Sequence, residues 1–86
     1  MGSFEIVSKP SVQKDLRPLP QSVVARILAR IEALGQDPLP SQSVKLAGAE
    51  NLRRIRVGDY RVVYGVHIQA RQVTIQYIRH RREVYR

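Results

Sequence analysis

Residues 52–64 read Leu52-Arg53-Arg54-Ile55-Arg56-Val57-Gly58-Asp59-Tyr60-Arg61-Val62-Val63-Tyr64. Apolar and basic residues alternate on both sides of Gly58-Asp59, the period-two signature of strands with one buried face. A two-residue connection with Gly at its first central position fits a type II′ hairpin turn, and a type I′ turn fits as well. Either turn sets Val57 opposite Tyr60, Arg56 opposite Arg61, Ile55 opposite Val62 and Arg54 opposite Val63. Ile55, Val57, Tyr60, Val62 and Tyr64 then share one face, while Arg54, Arg56 and Arg61 share the other. Like charges directly opposed across a sheet are destabilising, so the fold itself gains nothing from setting Arg56 against Arg61. An anion between them would turn that repulsion into attraction.

Downstream, Tyr60–Ile68 and Arg71–Ile78 read as the next strands. A tight turn at Gln69-Ala70 would pair Val66 with Val73, Tyr64 with Ile75 and Val62 with Tyr77, which places Tyr77 in the core together with Tyr60 and Tyr64. Thr74, Gln76, Ile78 and His80 would then fall on the arginine face. Upstream, Phe4–Val7 reads as a strand and Ser8 as a helix N-cap, with Pro10 tolerated in the first turn and Val12 and Leu16 on the buried side. The helix over Gln21–Leu34 is the clearest element: Val24, Ile27, Leu28, Ile31 and Leu34 recur at helical spacing, Gly35 suits the C′ position and Pro38 prevents continuation. A connection of residues 36–51, rich in Pro, Ser and Gly, follows, with Leu46 as its expected anchor. Connections of this length are usually functional or loosely ordered. The order β-α-α-β-β-β predicts an α+β fold, one domain over residues 1–86, with two helices on one face of a twisted antiparallel sheet.

The chain has 86 residues, enough for one modest core, and 43% of them are apolar, which argues against disorder. Without cysteine there is no disulfide, thiolate metal site or cysteine nucleophile. No apolar run is long enough to span a membrane and no signal-peptide pattern opens the chain, so the expected location is the cytoplasm. His67 and His80 do not make a ligand set, and neither a metal nor another cofactor is expected. The net charge of +8 is uneven. Residues 1–50 carry six Lys/Arg against five Asp/Glu, whereas residues 51–86 carry nine Arg and no Lys against Asp59 and Glu83. Arginine's planar fork matches phosphate bidentately and keeps its charge at any cellular pH, so a polyanion is the expected partner, either nucleic acid or an acidic protein. The three hairpin arginines, converging with His80, Arg81 and Tyr85, form the candidate site.

Lys45-Leu46-Ala47-Gly48, the hairpin at 52–64 and His80-Arg81-Arg82-Glu83-Val84-Tyr85 resemble the RelE branch of the RelE/ParE toxin superfamily. The resemblance runs along essentially the whole chain, and the R-x-G-D-Y-R-V-x-Y and H-R-x-x-V-Y segments are its most specific parts. It implies the RelE-like microbial ribonuclease fold and a toxin of a type II toxin–antitoxin pair that cleaves mRNA in the ribosomal A site. The implied chemistry is attack of a ribose 2′-OH on the adjacent phosphate, which leaves a cyclic phosphate, releases a 5′-OH and needs no metal. A cognate RelB-like antitoxin would silence the toxin in a hetero-oligomer, and the free toxin would be a monomer. By position, Arg61 and Arg81 would clamp the scissile phosphate, while Arg54 and Arg56 would bind the backbone or activate the nucleophile. The best-known family pattern has lysines at those last two positions. Arginine, with a pKa of about 12.5–13.8, rarely gives up a proton, so His80 becomes the expected proton acceptor. Tyr85 would stack on a base or donate a proton. Lys9, Lys14, Arg17, Lys45, Arg53 and Arg82 are expected as further RNA contacts. Two other readings share the fold: a ParE-like DNA gyrase inhibitor without ribonuclease chemistry, and a non-catalytic nucleic-acid-binding module.

Overall fold

A computed structural model describes residues 3–49 and 51–84. Its elements are β1 (Glu5–Ser8), α1 (Pro10–Leu16), α2 (Gln21–Leu34), β2 (Val44–Lys45), β3 (Leu52–Val57), β4 (Tyr60–His67), β5 (Gln72–His80) and α3 (Arg81–Val84). The five strands form one sheet in the order β1-β5-β4-β3-β2. The sheet is mixed, not wholly antiparallel as expected, because β1 runs parallel to β5. Alternation identifies a strand but says nothing of its partner's direction, and two helices intervene before the chain returns to pair with β1.

One core joins the helices to one face of the sheet. Val12 of α1 and Ile27, Ile31 and Leu34 of α2 pack with Ile55, Val57, Val62, Tyr64, Val66, Val73, Ile75 and Ile78. The stripe on α2 is narrower than its apolar spacing suggested, for Leu28 is 48% exposed. Ser8 belongs to β1, and the N-cap of α1 is Lys9, whose side chain makes no capping bond, with Pro10 in the first turn. Gly35 ends α2 at a φ of −64° and so is not needed for a left-handed cap. A Cβ there would come within 3.2 Å of both the Glu32 and Phe4 carbonyl oxygens, so close approach explains the glycine instead.

Within the 36–51 connection, residues 38–45 are held against the sheet. The Tyr64 hydroxyl donates to the Pro38 carbonyl at 2.9 Å, and the Ser43 hydroxyl donates to the Pro40 carbonyl at 2.7 Å. Arg53 Nε donates to Ser43 Oγ at 2.9 Å. The segment also contributes β2, which pairs Val44 with Arg54 and Lys45 with Arg53. Leu46 is only half-buried and lies outside the core cluster.

The first hairpin has the expected register, from Val57–Tyr60 to Arg54–Val63. Gly58 has a φ of +60°, while among the described residues Arg71 is the one non-glycine at positive φ, so the turn is of the II′ kind rather than I′. The second hairpin differs. His67 pairs with Gln72, which leaves residues 68–71 as a four-residue connection instead of a two-residue turn. Tyr64 still faces Ile75, but Val63 faces Tyr77, so Gln76 is an extra residue, a β-bulge in β5. Beyond it every side chain changes face: Val62 pairs with Ile78, Arg61 with Arg79 and Tyr60 with His80. Ile78, expected beside the arginines, is in the core, and Tyr77, expected in the core, faces away from it.

Candidate nucleic-acid interface

The sheet face turned away from the helices is a grid set by the strand register. Val44 of β2 lies opposite Arg54, which lies opposite Val63, which lies opposite Tyr77. The next row holds Arg56, Arg61 and Arg79. The nearly buried Val63 (4% exposed) belongs to no part of the helix-covered core, so the open face has an apolar floor beneath a basic rim. Gln42, Val44, Arg54, Ile55, Arg56 and Arg61 line a cavity of about 210 Å³ on this face. A smaller adjoining cavity is lined by Arg56, Asp59, Tyr60, Arg61 and Arg81.

The local structure explains why these cations stay together. Arg56 Nε donates to the Gly58 carbonyl at 3.1 Å, which ties its guanidinium to the turn it precedes. From α2, Arg30 Nη1 donates to the Arg56 carbonyl at 3.4 Å. The Arg81 backbone N–H donates to the Asp59 carbonyl at 2.8 Å, so the start of α3 is held at the tip of the β3–β4 hairpin. The Asp59 carboxylate is also 4.0 Å from Arg81 Nη1, but with side-chain exposures of 62% and 53% the pair is solvated and contributes little to stability. Two cavities lined by four arginines and one carboxylate can hold a phosphodiester through charge-assisted hydrogen bonds.

The structure therefore brings together Arg54, Arg56, Arg61 and Arg81. It does not bring His80 to them. The bulge at Gln76 sends His80 to the helix side, where its ring meets that of Tyr60 edge-on at 5.1 Å and it lines a cleft with Lys14, Asp15 and Leu19. Its Nδ1 accepts the Arg82 backbone N–H at 3.2 Å. Arg79 takes the register position opposite Arg61 that was expected for Ile78, although its Nη1 turns to the Asp15 carboxylate at 2.9 Å and its guanidinium lies 4.8 Å from the Tyr77 ring centroid. Tyr85 lies outside the described residues.

Of the further RNA contacts expected, Lys9, Lys14 and Arg17 are exposed on or beside α1, and Arg82 is exposed on α3. Lys45 is exposed on β2 but pairs with Arg53, one step out of phase with the open-face row. Arg53 is itself half-buried and engaged by Ser43, so its place is structural and not among the exposed cations. Sequence reasoning missed Gln42 and Val44 of the cavity wall. The signal was faint: a two-residue strand inside a Pro- and Ser-rich stretch gives no alternation to count.

The family of ParE toxins of type II toxin–antitoxin systems (parDE) matches residues 6–85. A Methanocaldococcus jannaschii protein named as a RelE1 toxin is 31% identical over 86 residues, 96% of each chain. The archaeal RelE–RelB complex from Pyrococcus horikoshii superposes with a TM-score of 0.83 at 30% identity, over 92% of this chain and 96% of that one. The isolated Escherichia coli RelE toxin has the same fold at 22% identity, with a TM-score of 0.79 over 96% and 92% of the two chains.

Proposed function

This chain belongs to the ParE toxin family of type II toxin–antitoxin systems and is a toxin of RelE type; we propose that it acts as an mRNA endoribonuclease on the translating ribosome, in the cytoplasm. The observation that carries the reading is the pairing of Arg56 with Arg61 in register, at the centre of a face that Arg54 and Arg81 complete. Cleavage by attack of a ribose 2′-OH adds negative charge to the phosphoryl oxygens in the transition state. Donors already fixed around that position stabilise the added charge without reorganising, and such preorganised stabilisation is usually the main source of rate enhancement. Arg61 and Arg81 clamp the scissile phosphate from neighbouring strand ends, and Arg54 and Arg56 hold the backbone beside it. His80 lies on the other face, so the 2′-OH proton passes to solvent water while the departing 5′-oxygen takes up a proton. Tyr85 keeps the role of stacking or proton donation.

A RelB-like antitoxin is the partner, supported by the RelE–RelB complex of the Pyrococcus horikoshii relative. An acidic segment that folds on binding would suit the +8 charge of this chain.

Mapping of 5′ ends in cellular mRNA after brief induction tests the reading, with and without a block on translation. Cuts at fixed codon positions that vanish when translation is blocked are expected, and Arg61→Ala with Arg81→Ala should abolish them. Cuts that survive the double substitution would remove the site assignment. A second reading, a gyrase inhibitor, has the ParE description of the family on its side. Inhibition of supercoiling by the purified chain, with mRNA left intact, would select it.

A further inference from the structure

The cavity that holds the arginines has a second kind of wall. Besides Arg54, Arg56, Arg61 and Ile55 it is lined by Gln42 and Val44, both from the 36–51 connection. Val44 lies directly opposite Arg54 in the β2–β3 ladder and is 48% exposed. Gln42, two residues earlier in the turn closed by the Ser43 N–H to Pro40 carbonyl bond at 2.9 Å, lines the same cavity as Arg56. Gln42 is exposed, and among the described residues its side-chain amide makes no hydrogen bond.

This wall is fixed rather than loose. Tyr64 Oη donates to the Pro38 carbonyl at 2.9 Å, four residues before Gln42, and Ser43, the residue after it, is 8% exposed. Ser43 Oγ donates to the Pro40 carbonyl at 2.7 Å and accepts from Arg53 Nε at 2.9 Å, while Arg53 Nη2 reaches the Ser43 carbonyl at 3.4 Å. A neutral amide with unused donors and an acceptor is thus carried on an anchored backbone at the rim of a basic cavity, which reduces the ordering cost of binding.

A phosphodiester needs the arginines and has no need of this amide. The part of a nucleotide that does need an uncharged donor–acceptor pair and an apolar surface is the base. We propose that Gln42, flanked by Val44, reads the nucleobase adjoining the phosphate held by the arginines, and is a specificity-determining residue of this site. The inference rests on the ribonuclease reading above. A glutamine amide presents a donor and an acceptor side by side, which matches the N6 and N7 edge of adenine; guanine offers two acceptors on that edge and does not match. Adenine next to the cut is the expected preference, and the Val44 side chain supplies the apolar contact along the ring.

The test compares purified wild-type chain with Gln42→Ala and Gln42→Glu in single-turnover cleavage of ribosome-bound mRNAs that differ only in the base on each side of the cut. Wild type should favour adenine at one of the two positions. In Gln42→Ala that preference should fall by about tenfold, the factor commanded by one bidentate base pairing of this kind. Gln42→Glu accepts but cannot donate, so its preference should move toward cytosine, whose N4 amino group donates. Ratios between bases within one variant are unaffected by any general loss of activity or of folded protein. An unchanged ratio in both variants, or no base preference in the wild type, overturns the inference while leaving the ribonuclease reading in place. No cleavage by the wild type overturns the ribonuclease reading, and this inference with it.

Discussion

The two faces of the sheet are made from alternate residues of the same strands, yet they follow opposite physical rules. On the helix-covered face Ile55, Val62 and Ile75 are at most 1% exposed, within a cluster of apolar side chains. On the open face, one residue away along each strand, Arg56 opposes Arg61 and Arg54 sits between two valines. The covered face lowers the free energy of the chain by removing apolar area from water. The open face crowds like charges, and an anion held among them offsets that repulsion. Stability and function are thus separated by a half-period of the strand, and substitutions on the two faces should fail in different assays.

The largest effect belongs to the covered face. Ile27 is fully buried where α2 meets the sheet. Ile27→Ala should cost about 2–5 kcal/mol in urea denaturation, the range for emptying a packed core site. In a domain of this size that is a large fraction of the stability. RNA affinity per folded molecule should not change, and a proportionate loss of affinity at temperatures where the variant is fully folded would break the separation of faces.

Asp15 lies on the boundary. Its carboxylate accepts the Ile78 backbone N–H at 2.9 Å and an Arg79 Nη1 hydrogen at 2.9 Å, so one α1 side chain ties down a core residue and an open-face residue together. The Arg79 side chain is 38% exposed, and solvent screens that half of the arrangement. Asp15→Ala should cost about 1–2 kcal/mol, mostly from the orphaned Ile78 N–H. Because β5 leads directly into Arg81, RNA cleavage should also fall more than stability does. Equal, small effects on both would show that the end of β5 needs no such anchor.

How far the sequence revealed this arrangement depended on how local the determining physics is. The β3–β4 hairpin and α2 were legible to the residue, because a two-residue turn fixes the register of the first and helical periodicity fixes the second. The direction of β1 was not, since Ile6 and Val7 would look the same in either orientation. The bulge at Gln76 was missed because Tyr77 satisfies the period-two pattern as well as Ile78 does, and only packing selects the isoleucine for the core. That one inserted residue moved His80 away from the arginines. The spacing Val73, Ile75, Ile78 was the available signal, a step of three after a step of two. Four arginines of the site were therefore readable from one hairpin and one C-terminal motif, whereas Gln42 and Val44 depend on tertiary bonds from Tyr64 and Arg53.

Tyr64 connects the covered face to the cavity wall. Burial pushes its phenol above the ordinary value of 10.0, partly offset by Ser43 and Arg53 nearby. A tyrosine whose folded-state pKa is raised contributes stability that is complete below the unfolded value and is lost as pH rises through the folded one. Unfolding should therefore become easier above about pH 10. Tyr64→Phe should remove that alkaline component and, by deleting the bond to the Pro38 carbonyl, cost about 1 kcal/mol at neutral pH. An alkaline limb that persists undiminished in the variant would assign it to other groups.

The smallest effect on stability has the opposite sign and makes the sharpest contrast. Arg56→Gln removes one of two opposed like charges, and directly opposed cross-strand pairs are worth roughly 0.2–1 kcal/mol. The variant should be as stable as the wild type or more stable by a few tenths of a kcal/mol, a change small enough to need matched denaturation curves at low salt. Its affinity for single-stranded RNA should nevertheless fall, and the slope of log K against log salt should become shallower by about 0.7, the value for releasing one phosphate of a single strand. A destabilised variant would mean that the Arg56 Nε bond to the Gly58 carbonyl outweighs the repulsion. An unchanged salt slope would mean that Arg56 does not touch phosphate, leaving Arg54, Arg61 and Arg81 to hold the RNA without it.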